Sequence, residues 1–293
     1  MNKTEINWTD LSWNCASGCE PISAGCAHCY ARTLAEDKRG TAAFPFGFDF
    51  TARPHKLLEP ARASEPSLVF ANSMSDMFLG AFTDSYRDDC FAVMERVDRH
   101  RYQVLTKRPE AAAKYFATRK VPSSVWLGVT VEHQLTDHRI STLRSIDAPV
   151  RFLSCEPLIG PLDLRGRLEG IAWVIGGGES GRHLVDPKVL ARRGMVRRGG
   201  RGEATYVPRE DRYHWATDLR DACDEQGAAY WWKQWGGTRP KLGGRAIDGV
   251  EHNGMPVHVP GAMPPGRDGQ GYERRKDREA REAQGKLHLP VVS

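Results

Sequence analysis

Six short apolar segments recur along the chain, and each is followed by polar or helix-forming sequence. Most are apolar on both faces rather than alternating, as expected of strands buried inside a parallel sheet. Four amphipathic stretches predict helices, and the last of these ends at Gly227. The predicted strands span 67–76, 102–109, 125–132, 150–158, 171–181 and 228–236, and the predicted helices span 84–100, 111–117, 136–146 and 214–226.

This alternation of strands and helices predicts an α/β fold with a parallel sheet, either open or closed into a barrel. Six strands and one short strand before the first clustered cysteine fit a full or partial (β/α) barrel. An open, doubly wound sheet is the alternative. We expect the barrel domain to span residues 1–258. Residues 259–293, rich in Gly, Pro and alternating charge, are expected to form a flexible tail.

Charged and amide side chains stand where each predicted strand ends. The carboxyl ends of parallel strands meet at one edge of a sheet, which is where α/β enzymes carry their active residues. A scaffold has no need to bring so many charges to one edge, so the pattern predicts an enzyme. The residues are Asp76, Lys107, Arg108, Glu132, Glu156, Glu179, Lys233 and Gln234.

Three cysteines near the N-terminus, Cys19, Cys26 and Cys29, have the spacing C-x6-C-x2-C. Three thiolates can hold a [4Fe–4S] cluster and leave one iron open for chemistry. Cys15 lies four positions before Cys19 and offers a fourth thiolate, which would close the site around a structural zinc ion or a fully ligated cluster. The spacing alone leaves these alternatives open.

The chain has 293 residues, of which 40 % are hydrophobic and 27 % charged. It shows no signal peptide and no apolar run long enough to cross a membrane, so we expect a cytoplasmic protein with reduced thiols. The net charge of +5 is concentrated in residues 188–212, which carry eight basic and three acidic residues. Such a segment predicts contact with phosphates, or else a solvated, flexible loop.

Short motifs across residues 5–250 resemble a family of uncharacterised phage and prophage proteins with a radical-SAM-like three-cysteine motif. The similar elements near the cysteines are Trp13-Asn14, Gly18-Cys19, Gly25-Cys26 and Cys29-Tyr30-Ala31. Further along the chain they are NSMSD (72–76), LTKRP (105–109), WLGVTVE (126–132), EPLIGP (156–161), GGESG (177–181) and KQWG (233–236).

The resemblance implies a radical-SAM type barrel in which Cys19, Cys26 and Cys29 ligate a [4Fe–4S] cluster. The open iron would bind S-adenosylmethionine, and an electron donor such as flavodoxin or ferredoxin would drive its reductive cleavage. The implied catalytic residues are Glu156, Glu179, Lys107 and Lys233, and a structural salt bridge is the alternative role for each of the two glutamates. The implied cofactor-binding residues are Asn72, Ser73, Asp76, Glu132, Gly177, Gly178 and Gly181.

One departure from the family pattern and two from typical radical-SAM enzymes bear on this interpretation. Cys15 stands where the family commonly has proline, which favours three ligands. The first cysteine gap is three residues longer than in typical radical-SAM enzymes, and His28 replaces the usual aromatic residue. We expect a nucleotide or nucleic acid substrate. The alternatives are a non-catalytic nucleic-acid-binding phage protein stabilised by zinc or a cluster, and a metal-independent enzyme that uses the carboxylates.

Overall fold

The structure is a computed structural model, and it describes residues 1–202, 204–265, 274 and 277–279. The strands are β1 (Asn2–Lys3), β2 (Leu11–Trp13), β3 (Ala16–Ser17), β4 (Thr51–Ala52), β5 (Leu68–Ala71), β6 (Arg101–Thr106), β7 (Val125–Thr130), β8 (Val150–Leu158), β9 (Trp173–Gly178), β10 (Val196–Arg198), β11 (Tyr206–Pro208), β12 (Ala229–Trp232), β13 (Ala246–Ile247) and β14 (Val250–Glu251). The helices are α1 (Tyr30–Asp37), α2 (Glu59–Arg62), α3 (Asp84–Arg96), α4 (Pro109–Phe116), α5 (His138–Arg144), α6 (Pro187–Arg193) and α7 (Glu210–Gln226).

Eight strands form one sheet in the order β1-β2-β5-β6-β7-β8-β9-β12. Every neighbouring pair is parallel except β1 and β2. The predicted α/β class with a parallel sheet is therefore confirmed. The strand order follows the chain order without the reversal that defines a doubly wound sheet, so that alternative was wrong. Among the described strands, β1 and β12 remain the two edges, and hydrogen bonds do not close the sheet into a full barrel.

The sheet is curved, as its tryptophan contacts show. The Trp8 ring lies 4.8 Å from that of Phe70 on β5 and 5.9 Å from that of Trp173 on β9. In a flat sheet, strands four positions apart would be separated by about 19 Å. One indole can bridge them only because the sheet bends around a buried cluster, to which Trp126 and Trp231 also belong. The helices pack with a second, larger core on the opposite face.

Within its described residues, 188–202 and 204–212, the basic segment contains helical and strand structure rather than only the solvated loop offered as an alternative. Asp186 caps α6 by accepting a hydrogen bond from the backbone N–H of Lys188. The antiparallel hairpin β10–β11 follows, and its Val196 and Tyr206 side chains are buried in the larger core. Helix α7 begins at Glu210, four residues before the predicted start at 214. Acidic residues suit the first turn of a helix, because its N-terminus carries partial positive charge.

The C-terminal segment packs against the tryptophan cluster beyond the predicted boundary at residue 258. The Trp126 indole N–H donates to the Ala262 carbonyl at 2.9 Å, and Ala262 is buried in that cluster. Further along, the Arg274 guanidinium lies 4.7 Å from the centre of the Trp231 ring, and Arg278 pairs with Glu65 at 2.8 Å. The described parts of the predicted tail therefore contact the rest of the protein, and most of that tail lies outside the described residues. A search of the described helices finds none with the length and apolar character needed to cross a bilayer.

Candidate functional site

The three clustered cysteines lie on a loop, residues 18–29, that follows β2 and β3 at the carboxyl edge of the sheet. We refer to it as the cysteine loop. The Gly18 N–H donates to the Met74 carbonyl at 2.9 Å, and the Ser75 hydroxyl donates to the Gly18 carbonyl at 2.7 Å. The Asn14 side chain accepts from the Ser73 hydroxyl at 3.2 Å. The NSMSD segment after β5 therefore anchors the start of the loop.

Cys19 is half-buried next to Arg108, which follows β6. Arg108 Nη1 lies 3.6 Å from Cys19 Sγ, and Arg108 Nη2 donates to the Glu20 carbonyl at 2.7 Å. Burial and the charge of Asp76 raise the pKa of the Cys19 thiol, while Arg108 opposes the rise. Arg108 is thus placed to compensate negative charge that develops on this sulfur.

Cys26 has the opposite balance. Burial acts to raise the pKa of its thiol, but hydrogen bonds from the Ile22 backbone and the Ser23 hydroxyl, with the charge of Lys107, lower the pKa overall. The Ser23 Oγ and Cys26 Sγ atoms are 3.6 Å apart. Cys29 precedes α1 at its N-cap position. All three thiols are free and half-buried.

Cys15 does not join the other three cysteines. It is fully buried, its Sγ lies 3.3 Å from Cys90 Sγ, and its thiol donates to Asn72 Oδ1 at 3.4 Å. The alternative in which Cys15 closes a four-cysteine site is therefore wrong for this structure. Asn72, predicted to bind cofactor, is also buried, and its Oδ1 accepts from the Ala16 N–H at 3.2 Å.

As placed, no three His, Cys, Asp or Glu side chains within the described ranges are grouped closely enough to hold a metal ion. The donor set nevertheless suits an iron–sulfur cluster, because three thiols share one short, half-buried loop. Two cations next to that loop, Lys107 and Arg108, complement thiolate charge. The side chains present therefore fit the predicted group chemically.

Asp76 organises the junction of β5 and β6. Its carboxylate accepts from the Thr106 hydroxyl at 2.8 Å, the Lys107 N–H at 3.0 Å, the Phe78 N–H at 2.9 Å and Arg108 Nη1 at 3.3 Å. The side chain is 8 % exposed. Both oxygens already have several donors, so in this structure Asp76 serves to position Arg108.

Glu132, which follows β7, is fully buried beneath the cysteine loop. Its Oε1 accepts from the Ser23 hydroxyl at 2.7 Å and lies 3.6 Å from Lys107 Nζ. Gly25 packs so closely that a Cβ there would lie 2.3 Å from Oε1. Within the described residues, Oε2 has no hydrogen-bond partner. A buried acceptor without a donor costs about 1–3 kcal/mol, so Oε2 is an available acceptor for a ligand.

Glu156 and Lys233 form an ion pair across the ends of β8 and β12, with 3.1 Å between Nζ and Oε1. Both side chains are partly exposed, at 13 % and 26 %. Gly177 lies against the Glu156 carboxylate, where a Cβ would come within 2.5 Å of Oε1. This predicted catalytic pair therefore remains accessible at the edge of the sheet.

Glu179 has a different environment from Glu156. Arg193 of α6 donates to both of its oxygens, at 2.5 and 2.7 Å, and the pair is buried. Arg193 also donates to the Ala24 carbonyl in the cysteine loop at 3.1 Å. The His183 ring stacks on that of His28, with centroids 3.9 Å apart. Glu179 thus ties the basic segment to the loop.

Three of these participants are not among the predicted site residues. Arg193 was counted only as part of a charged segment, and Ser23 and His183 carried no motif signal. The glycines predicted to contact cofactor serve packing here. A Cβ at Gly178 would lie 2.1 Å from the Trp235 carbonyl, and Gly181 has φ of 146° next to the His183 ring. Contacts of any of these residues with a cofactor stay predictions.

The chain belongs to the family described as "Protein of unknown function (DUF5131)", whose model matches residues 3–189 and 195–256. The predicted family membership is confirmed at that level, while the expected phage origin stays an expectation. No curated protein sequence matches the chain.

Solved structures of spore photoproduct lyase have a similar fold. The complex with dinucleoside spore photoproduct and a single-residue mutant each match with a TM-score of 0.50 at 12 % identity, covering 79 % of this chain and 78 % of that protein. A double mutant with bound AdoMet and dinucleoside spore photoproduct matches with a TM-score of 0.46 at 12 % identity and the same coverage. At this identity the likeness shows the fold alone.

Proposed function

We propose that this protein is a radical-SAM-like iron–sulfur enzyme in which Cys19, Cys26 and Cys29 hold a [4Fe–4S] cluster. The observation that carries the proposal is the position of these three thiols at the carboxyl edge of a curved parallel sheet, with Cys15 turned into the core. Three ligands leave one iron open to a substrate or cofactor. We also propose that the curved sheet is a partial barrel of the radical-SAM type.

When bound, the cluster and S-adenosylmethionine supply one-electron cleavage of the sulfonium and hydrogen abstraction from a substrate. The protein residues orient and shield that chemistry. Arg108 and Lys107 compensate thiolate charge at Cys19 and Cys26. Glu132 Oε2 offers an acceptor for an ammonium or hydroxyl group of the cofactor. The Glu156–Lys233 pair offers one acceptor and one cation to the substrate.

We propose a nucleotide or nucleic acid as the substrate. The shared fold with spore photoproduct lyase, solved with a dinucleoside photoproduct, supports this class, as does the basic segment next to the cysteine loop. A low-potential electron carrier such as flavodoxin or ferredoxin would supply the electron. A closed four-cysteine zinc site has little support, because Cys15 contacts Cys90 and Asn72.

The proposal is tested with protein purified without oxygen and reconstituted with iron and sulfide. Visible and EPR spectra are recorded with and without S-adenosylmethionine. We expect a reduced-cluster signal that changes when S-adenosylmethionine is added. Cys19→Ala should lose the cluster, and Cys15→Ala, a matched control that removes one neighbouring thiol, should retain it. A colourless protein with one tightly bound zinc, or cluster loss in Cys15→Ala alone, would contradict the proposal.

A further inference from the structure

Three basic side chains on the segment after β9 form an exposed surface next to the cysteine loop. They are Arg182, Lys188 and Arg192, which we call the basic ledge. Within the described residues, none of the three forms an ion pair. Their neighbours differ in this respect, since Arg193 pairs with Glu179 and Arg209 pairs with Asp211. The ledge therefore presents positive charge that has no ion-pair partner in the described part of the chain.

The ledge is fixed to the candidate site. Leu184 and Leu190, which flank its residues, are buried in the core. Arg193 at the end of α6 donates to Glu179 and to the Ala24 carbonyl of the cysteine loop. His183, directly after Arg182, stacks on His28 between two of the cysteines. A ligand held by the ledge would thus lie next to the cysteine loop in a defined position.

The spacing of the ledge suits a chain of phosphates. Lys188 and Arg192 stand at i and i+4 on α6, so they share one face and are separated by about 6 Å along the helix axis. Arg182 precedes the helix by five residues, in the short 3-10 turn Arg182–Val185. A polynucleotide strand carries one charge per phosphate at similar intervals, and contacts to the backbone need only suitably placed cations.

We propose that the basic ledge binds the phosphate backbone of a polynucleotide strand and presents it to the cysteine loop. This inference rests on the proposed function for the chemistry that follows binding. A base can be modified only when it is out of its stack, so we expect a single strand to be the preferred form. The binding itself requires neither the cluster nor S-adenosylmethionine.

The test measures fluorescence anisotropy of labelled single-stranded DNA and RNA of mixed sequence over a range of salt concentrations. The ledge variant is Arg182→Gln/Lys188→Gln/Arg192→Gln. The control, Arg62→Gln/Arg96→Gln/Lys120→Gln, removes the same number and kinds of charge from exposed positions that precede the starts of β5, β6 and β7. Comparing DNA with RNA distinguishes the two sources of phosphate.

We expect wild-type binding to weaken with salt and the ledge variant to bind more weakly. At about 0.7 per contact, loss of three phosphate contacts should make the slope of log K against log salt shallower by about 2. Between about 50 and about 200 mM salt, the affinity of the ledge variant should therefore fall about 20-fold less than that of wild type. The control should keep the wild-type slope.

Equal slopes in the ledge and control variants would overturn the inference, as would salt-sensitive binding of flavodoxin but of neither polynucleotide. Failure of the inference and failure of the proposed function are distinguishable. The ledge variant should still assemble a cluster whose EPR signal responds to S-adenosylmethionine. If the protein assembles no cluster but still binds polynucleotide through the ledge, the inference about the ledge is supported and the proposed enzymatic function is rejected.

Discussion

Replacement of Arg193 by methionine should destabilise the protein strongly, because it leaves the Glu179 carboxylate buried without its partner. The two side chains are only 10 % and 5 % exposed, and two hydrogen bonds join them. Removing one member of such a pair costs about 3–5 kcal/mol. At about 1.6 °C per kcal/mol for a chain of 293 residues, we expect the melting temperature to fall by about 5–8 °C.

The assay is urea unfolding followed by tryptophan fluorescence, with thermal melting as a second measurement. Arg165→Met is the matched control, since Arg165 pairs with Asp163 but the side chains are 63 % and 57 % exposed. An exposed pair contributes at most about 1 kcal/mol.

The double variant Glu179→Gln/Arg193→Met should recover part of the loss, because no buried charge then remains unpaired. If Arg193→Met costs no more than Arg165→Met, or if the double variant is as unstable as the sum of its parts, the account of this ion pair is refuted.

Three further predictions concern the cysteine loop and the sheet edge beneath it. In metal-free protein, Cys26 should be alkylated by iodoacetamide at lower pH than Cys19, because the pKa of the Cys26 thiol is lowered while that of the Cys19 thiol is raised. Peptide mass spectrometry across a pH series measures the order of alkylation. The reverse order would contradict the assigned charges. Arg108→Gln should slow alkylation of Cys19 further, since removing this cation raises the thiol pKa, whereas Arg62→Gln, an exposed control, should leave the rate unchanged. Gly178→Ala should lower the melting temperature by several degrees, because its Cβ would lie 2.1 Å from the Trp235 carbonyl. A wild-type melting curve would show that the end of β9 and the segment after β12 are not so closely packed.

The main strands were predictable because each is a long, continuously apolar segment in the sequence. Strands β6, β7 and β8 begin within one residue of their predicted starts. Of the two-residue and three-residue strands, only one was expected, a short strand before the clustered cysteines, where β2 lies. The others were not predictable, since two residues carry no periodicity. The start of α7 was missed for another reason. Glu210 to Arg212 were counted with a charged segment, although acidic residues favour a helix N-terminus.

The convergence of polar residues on one edge was also predictable, because parallel strands bring their carboxyl ends together. Which carboxylate pairs with which cation was not. Glu179 and Arg193 are separated by fourteen residues, and their ion pair depends on how α6 folds back over the sheet. A charged segment is usually solvated, so the basic segment was expected to contact phosphates or to form a solvated loop. A buried arginine within it was not expected. The burial of Cys15 in the core could not be predicted either, because the spacing of cysteines along the chain does not reveal whether a thiol faces the core or the cysteine loop.

Hydrogen bonds divide the four carboxylates at the sheet edge into two that are fully paired and two that can accept a ligand, a division that their sequence motifs do not reveal. Asp76 and Glu179 are buried, and each already receives donors on both oxygens, so neither has capacity for a ligand without breaking an ion pair. Glu132 keeps one oxygen without a partner among the described residues, and Glu156 is half-buried in a longer contact with Lys233.

Breaking a buried pair costs more than filling an unsatisfied acceptor, so ligand binding should involve Glu132 and Glu156 first. Glu132→Gln should therefore weaken the response of the cluster EPR signal to S-adenosylmethionine, while Glu179→Gln should mainly lower stability. Equal loss of that response in both variants would show that the hydrogen bonds of a carboxylate do not predict whether it binds a ligand or serves a structural role.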